Sequence, residues 1–256
     1  MLKDKKGVEL ELTHINKNEK KRIIDLVARE IMVNVFVNQE NIATLSCSPG
    51  NLKYLTAGFL YSLGIIKNRQ DIISIKIGKK SAYFEINQSL FTNAFRNRVS
   101  YPSQISKLIL KTQKFTNDKN RIRIKNDVIY TLLSAMQEKA GFFKLSGGVH
   151  SCGLADPGGQ MVLFCEDISR YNTIDRILGE ALLKGIDTEN KVILTTCRIT
   201  AGIMQKIIIG RVPVVISRSA VTDYAIKLAE RFSVTLIGFT RGERMNVYNL
   251  PERIEN

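Results

Sequence analysis

The 256-residue sequence has no tryptophan, two histidines, five prolines and four cysteines. The cysteines stand at 47, 152, 165 and 197, so no C-x-x-C occurs anywhere. That spacing supports neither a secreted disulfide framework nor a paired-cysteine zinc site. A zinc deaminase needs H-x-E and P-C-x-x-C, and here the residue two after His150 is Cys152, so no zinc is expected. The polar start, Met1-Leu2-Lys3-Asp4-Lys5-Lys6, carries no apolar signal region. No apolar run approaches the ~20 residues that cross a bilayer. A reducing, cytoplasmic location away from membranes is the expectation. Acidic residues are scarce too: 24 Asp and Glu against 38 Lys and Arg leave a net charge of +14. Such a surplus suits an anionic partner, or else a solvated lysine-rich surface such as Lys17–Arg22 and Lys76–Lys80. Nucleic acid is the weakest candidate, because no aromatic platform interleaves with the basic residues.

What is present reads as an α/β protein. Hydrophobic residues at 44% and charged residues at 24% are ordinary for a globular chain. Residues 8–13 alternate as a half-buried strand, and Ile31–Val37 with Ile42–Cys47 suggest a hairpin around Asn38–Asn41. Asn51 is placed to cap a helix ending near Gly64, with strands following at Ile72–Ile77 and Ala82–Ile86. The basic stretch 88–126 is the least regular, with a short helix expected at Ser103–Lys111. A helix at Asp127–Ala140 then precedes alternating strands and helices: Met161–Cys165, Thr173–Leu183, Val192–Thr196, Thr200–Gly210, Val214–Ser217, Ala220–Arg231 and Val234–Phe239. That rhythm argues for a layered α/β unit. The expected division is a strand-rich α+β part over 1–95, a mobile basic linker over 96–126 and an α/β domain over 127–256.

Chemistry-bearing residues crowd into Ser146-Gly147-Gly148-Val149-His150-Ser151-Cys152-Gly153 and Cys165–Asn172. His150 and Cys152 share a side of an extended segment, so a Cys–His nucleophile competes with a glycine turn and a buried thiol. Cys197 ends a strand beside Arg198 and a helix start, a setting that lowers a thiol pKa and suits an anion, unless the cysteine is a small buried hydrophobe at the strand end. Glu166, Asp167, Arg170 and Asp175 read as a charged network or as ligand contacts, set against plain surface ion pairing. Phe239-Thr240-Arg241-Gly242-Glu243-Arg244 follows a strand end, where α/β sheets bind ligands, and its arginines match phosphate or a purine edge.

These segments together resemble the formate dehydrogenase accessory proteins of the FdhD/NarQ family. The resemblance rests on ordered motifs: Ser48-Pro49-Gly50 with Ala57-Gly58-Phe59-Leu60; Ser146 to His150; Glu166-Asp167 with Arg170, Asn172 and Asp175; Met204-Gln205-Lys206; Ser217-Arg218-Ser219-Ala220; Leu228-Ala229-Glu230; and Val234–Tyr248 with Pro251-Glu252-Arg253. It implies a C-terminal mixed-sheet domain resembling cytidine deaminases, and a homodimer. It implies a sulfur carrier that takes persulfide sulfur from a cysteine desulfurase. The sulfur passes to the molybdenum (or tungsten) bis-guanine-dinucleotide cofactor for formate dehydrogenase. Cofactor contacts are implied at Phe239, Thr240, Arg241, Gly242, Glu243 and Arg244, with Gly147, Gly148, His150 and Arg218, and GDP is the natural analogue.

The chain departs from that pattern where it matters chemically. The family's relay cysteines sit in a loop whose counterpart here, about 97–106, has none, and serine forms no persulfide. Tyr171 replaces a histidine, Leu63 an acidic residue, and Cys152 and Cys197 stand where small non-thiol residues are usual. Two readings follow: a sulfur carrier whose thiol has moved to Cys152 or Cys197, or a paralogue that binds the cofactor or the dehydrogenase without carrying sulfur.

Overall fold

The computed structural model describes residues 6–89 and 122–256. The helix expected at Ser103–Lys111, and the expected linker up to residue 121, lie outside the described residues.

The chain begins with β1 (Gly7–Ile15) and β2 (Lys20–Ala28), antiparallel over nine residue pairs and forming a sheet by themselves. The first strand follows the alternation read from residues 8–13. The second is hidden in the sequence, because its start coincides with the charged run Lys17–Arg22.

β3 (Ile31–Val37) buries every second residue, Val33, Val35 and Val37. It turns into β4 (Glu40–Cys47) through Asn38 and Gln39, whose φ of 46° and 72° give the backbone twist a tight hairpin needs. With β5 (Ile72–Ile77) and β6 (Ser81–Ile86) these strands form a sheet in the order β4-β3-β6-β5. α1 (Leu52–Ser62) covers one face of it, with Ala57 and Leu60 against Val35, Phe84 and Ile86. Asn51 precedes α1 but does not cap it with its side chain, contrary to expectation. Its backbone is left-handed (φ 49°), and its carbonyl accepts from the Tyr54 and Leu55 amides.

The second half is one six-stranded sheet with helices on both faces. β7 (Ile124–Lys125) leads into α2 (Asn126–Lys139) and α3 (Gly141–Ser146), which ends at left-handed Gly147. β8 (His150–Ala155) and β9 (Met161–Asp167) form a hairpin, followed by α4 (Arg170–Lys184). β10 (Val192–Thr195), α5 (Ala201–Ile209), β11 (Val214–Ser217), α6 (Asp223–Arg231) and β12 (Thr235–Arg241) alternate, and β13 (Arg244–Val247) returns along the edge. The strand order is β13-β12-β11-β10-β8-β9, with β10, β11 and β12 parallel. β14 (Ile254–Glu255) pairs with β7. One face of the sheet packs Ile193, Val215 and Leu236 against Ile177, Ile207 and Leu228. The other packs Leu194, Ile216 and Ile237 against Ile129, Leu132 and Met136 of α2. The mixed α/β architecture with a strand-rich first part agrees with the sequence reading. No helix among the described residues is long and apolar enough to cross a membrane.

The two halves meet where α1 crosses α4. A Cβ on Gly58 would lie 1.8 Å from the Asp175 carbonyl oxygen, and one on Gly179 would lie 2.0 Å from that of Tyr54. Only glycine permits this backbone contact. Around it, Asp175 accepts from Ser62 Oγ at 2.6 Å and from Lys206 Nζ at 2.7 and 2.9 Å.

Candidate functional site

The register of the sheet gathers distant motifs at one rim. His150 pairs with Asp167, Cys152 with Thr195, and Thr195 with Ser217, so β8 begins where β9, β10 and β11 end. β12 ends at the same level, its Gly238–Arg241 stretch broken by a bulge. This is the carboxyl edge of the parallel strands, the ordinary ligand position of an open α/β sheet. From β8 to β12 it spans three strand spacings, about 14 Å.

Five arginines stand on this rim or in the loops that leave it: Arg170 at the start of α4, Arg198 after β10, Arg218 after β11, and Arg241 and Arg244 on the β12–β13 turn. Among the described residues none of the five makes an ion pair with a carboxylate. The loops carrying two of them are stitched together. Ser217 Oγ donates to the Cys197 carbonyl at 2.6 Å and Ser219 Oγ to that of Thr196 at 3.0 Å. The Arg218 amide donates to Thr195 O, and Arg241 Nε donates to Arg218 O at 3.2 Å. The rim is therefore fixed in advance of any ligand.

Phe239 is held in a strained conformation on the bulge. Its φ is 52°, unusual for an aromatic residue, and the residue is 41% exposed while its amide donates to Ser219 O. Nearby, Arg218 Nε and Thr240 Oγ1 are buried without a hydrogen-bond partner among the described residues, as is Ser151 Oγ beside His150. Unsatisfied buried groups are costly and mark places where a ligand or water completes the site. Burial, with the Arg170 charge adding to it, holds the His150 imidazole below its ordinary value, so it is neutral at pH 7; Asp167 acts in the opposite direction.

Of the readings open for the carboxylates, the structure shows a charged network, and a buried one. Glu166, Asp167 and Asp175 are buried rather than surface-paired. Asp167 accepts from Arg176 Nε at 2.8 Å, Asn172 Nδ2 at 2.9 Å, and the Ser48 and Ser169 amides. Arg176 also donates to the Ser48 and Gly50 carbonyls, and Asn172 to that of Ser46. Glu166 accepts from the Phe142 and Phe143 amides at the start of α3. These residues clamp the Ser48–Gly50 turn and α3 to the large sheet. Arg170 alone of that group faces the rim, its guanidinium 5.1 Å from the Tyr171 ring centre.

Cys152 and Cys197 lie beneath the rim, in the hydrophobic core. Cys152 is 0% and Cys197 1% exposed. Of the two readings of Cys197, the structure shows the buried thiol and not the acidified one. Burial raises its thiol, outweighing the Thr195 hydroxyl bond and the Arg170 charge. Burial also pushes Cys152 well above its ordinary value, with Cys165 and Cys197 adding to the shift. Cys165, on the edge strand, is half-buried, its thiol donating to Thr173 O and pushed up to about 12 by burial. Burial, followed by the Asp167 charge, places Cys47 at about 12 as well.

The match to known proteins follows the same landmarks. The model of the FdhD/NarQ family matches residues 28–255, which include every rim residue named above. The chain belongs to the FdhD/NarQ family. An FdhD protein of Listeria monocytogenes, named as a sulfur carrier protein, is 32% identical over 239 residues, covering 89% of this chain and 91% of its own. One from Thermoplasma acidophilum is 35% identical over 218 residues, covering 79% and 75%. A crystal structure from Desulfotalea psychrophila, described as a formate dehydrogenase accessory protein, superposes with a TM-score of 0.84 over 98% of this chain and 100% of its own, at 24% identity.

The structure places His150, Arg218 and Phe239 to Arg244 along the same rim. Gly147 and Gly148 lie just before β8, where a Cβ on Gly148 would meet Ala28 Cβ at 2.9 Å. Ser151 and Arg198 belong to the rim but were not singled out for ligand contact. Their signal was positional, since one starts the strand β8 and the other follows the end of β10.

Proposed function

We propose that this FdhD/NarQ protein serves formate dehydrogenase maturation by holding the molybdenum (or tungsten) bis-guanine-dinucleotide cofactor, as its cargo, on the carboxyl rim of the large sheet. The observation that carries the reading is the set of five arginines that, among the described residues, have no carboxylate partner, on a rim that also carries the bulged, exposed Phe239. Phosphates supply the missing negative charge, and a guanine supplies a flat face for the Phe239 ring. The buried, unpaired Arg218 Nε and Thr240 Oγ1 are donors awaiting acceptors. In this reading the six-stranded sheet is the cytidine-deaminase-like part, working without zinc. The chain acts as a cytoplasmic homodimer, with formate dehydrogenase and a cysteine desulfurase as partners.

Sulfur transfer is the second component of the family's task, and one observation favours the reading without it. The 97–106 stretch has no cysteine, and of the four thiols present three are buried and all are raised in pKa. Cofactor binding does not depend on a thiol, so it survives this loss.

GDP tests the site. It is expected to bind, and Arg244→Ala is expected to weaken it by about tenfold or more, the value of a hydrogen bond to a charged group. Isothermal titration measures both affinities. Equal affinity for the wild type and the variant removes the β12–β13 turn from the site.

A further inference from the structure

Arg170, Tyr171 and Asn172 open α4, and successive residues of a helix point about 100° apart, so the three side chains go three ways. Asn172 turns inward, to Asp167 and the Ser46 carbonyl. Arg170 turns to the rim, where its charge acts on His150 at the start of β8 and on Cys197 after β10. Tyr171 lies against the first turn of α5: a Cβ on Gly202 would meet its Cε1 at 3.1 Å and its hydroxyl oxygen at 3.4 Å. Glycine at 202 therefore keeps the seat of the ring open. The ring in turn carries the Arg170 guanidinium, 5.1 Å from its centre, within the range of a cation–π contact. An arginine with no carboxylate partner is free to sample many rotamers, and fixing one of them for a ligand costs entropy. Stacking on a seated ring meets part of that cost before the ligand arrives.

We propose that Tyr171 is a positioning residue of the rim: seated on Gly202, it holds the Arg170 guanidinium toward the phosphates of the bound nucleotide, at the opposite end of the sheet from the Phe239 turn. The inference rests on the cofactor reading above and assigns the phosphate-facing end of that site. The Tyr171 hydroxyl makes the contact sensitive to pH. Burial by itself raises the phenol, but the Thr200 hydroxyl and the Arg170 guanidinium beside its oxygen, with the Lys206 charge, outweigh this and hold it below its ordinary value. Lys206 is engaged by Asp175 at 2.7 Å, and His150, on the far side of Arg170, is neutral. Arg170 is thus the cation that a phenolate pairs with. While protonated, the phenol leaves Arg170 to the ligand. As pH rises through the lowered value the phenolate forms, takes up Arg170 and repels phosphate.

Titration of the full chain with GDP tests this. Arg170→Ala is expected to weaken binding about tenfold, and Tyr171→Leu, which removes the ring face, about three- to fivefold. Because Tyr171 acts through Arg170, the double variant is no weaker than Arg170→Ala alone, to within about twofold. Losses that multiply instead mark a general support of the fold and overturn the inference. Tyr171→Phe keeps the ring, so its GDP affinity at pH 7 stays within about twofold of the wild type. Between pH 8 and 10 the wild type then loses about threefold more affinity than this variant, which has no phenol to ionise. Parallel pH profiles overturn the inference even where Tyr171→Leu fails to fold. Weakening by Arg244→Ala, with Arg170→Ala and Tyr171→Leu both silent, overturns it and leaves the cofactor reading standing. A wild type that binds no GDP overturns both.

Discussion

Gly58→Ala is expected to destabilise the protein by about 3–5 kcal/mol, above the usual range for an overpacked core. For a chain of this size that is a fall of about 10 °C in melting temperature. The alanine Cβ would sit 1.8 Å from the Asp175 carbonyl oxygen, 2.6 Å from its carbon and 2.8 Å from the Gly179 nitrogen. All three are backbone atoms of α4, so no rotamer change relieves the clash, and real Cβ contacts stay above 3.0 Å. The helices must part by more than 1 Å. That movement reaches both buried networks, because Ser62 and the Ser48–Gly50 turn flank α1, while Asp175 and Arg176 belong to α4. It also shifts Arg170 at the start of α4, so GDP binding weakens alongside stability. Gly158→Ala is the control, since a Cβ there meets nothing within 4 Å. Thermal unfolding of the two variants decides the matter, and equal melting temperatures would refute the interlock.

The parts of the fold that were legible are those whose burial follows a simple period. β3 shows Val33, Val35 and Val37 at every second position, and the run from β10 to β12 shows short apolar strands separated by helical stretches. β2 was not legible, because Lys20-Lys21-Arg22 resembles a solvated run and the pairing with β1 that orders it leaves no mark in its own sequence. α3 was missed for a related reason. It has six residues, starts at a glycine, and its amides are satisfied by Glu166, more than twenty residues away. At the site, the turn Phe239–Arg244 could be read because it follows a strand end. The burial of Asp167 and Asp175 could not, because a carboxylate in a sequence carries no mark of the arginine or lysine that neutralises it. Cys197 shows the limit most sharply. Its neighbours Arg198 and Thr200 suggested a low pKa, but desolvation outweighs a nearby cation once the thiol is 1% exposed.

Incubation of the folded protein with a cysteine desulfurase and cysteine is expected to leave all four thiols unmodified. Sulfur transfer requires the acceptor thiolate to attack the outer sulfur of the donor persulfide, forming a new S–S bond and releasing the donor thiolate. A thiol at about 12, as for Cys47 and Cys165, is ionised at pH 7 to about one part in 10^5, against a few per cent for an ordinary cysteine. The greater nucleophilicity of a basic thiolate recovers part of that loss, about one and a half powers of ten. Access then decides. With Cys152 at 0% and Cys197 at 1% exposure, a protein-bound persulfide cannot reach either sulfur without opening of the core. Cys197 needs the smaller opening, because it lies in the Thr196–Arg198 loop after β10, which Ser217 and Ser219 hold by hydrogen bonds to its carbonyls. Cys152 sits inside β8, paired on both sides, and needs the sheet to part. Peptide mass spectrometry after loading, with and without urea, reads the result. No sulfur on the native chain and sulfur on all four cysteines in urea is the expected pattern. Sulfur on native Cys197 would restore the carrier role and place its thiol at the cofactor rim. Sulfur on native Cys47 or Cys165 would contradict both the burial argument and the ranking of the thiols.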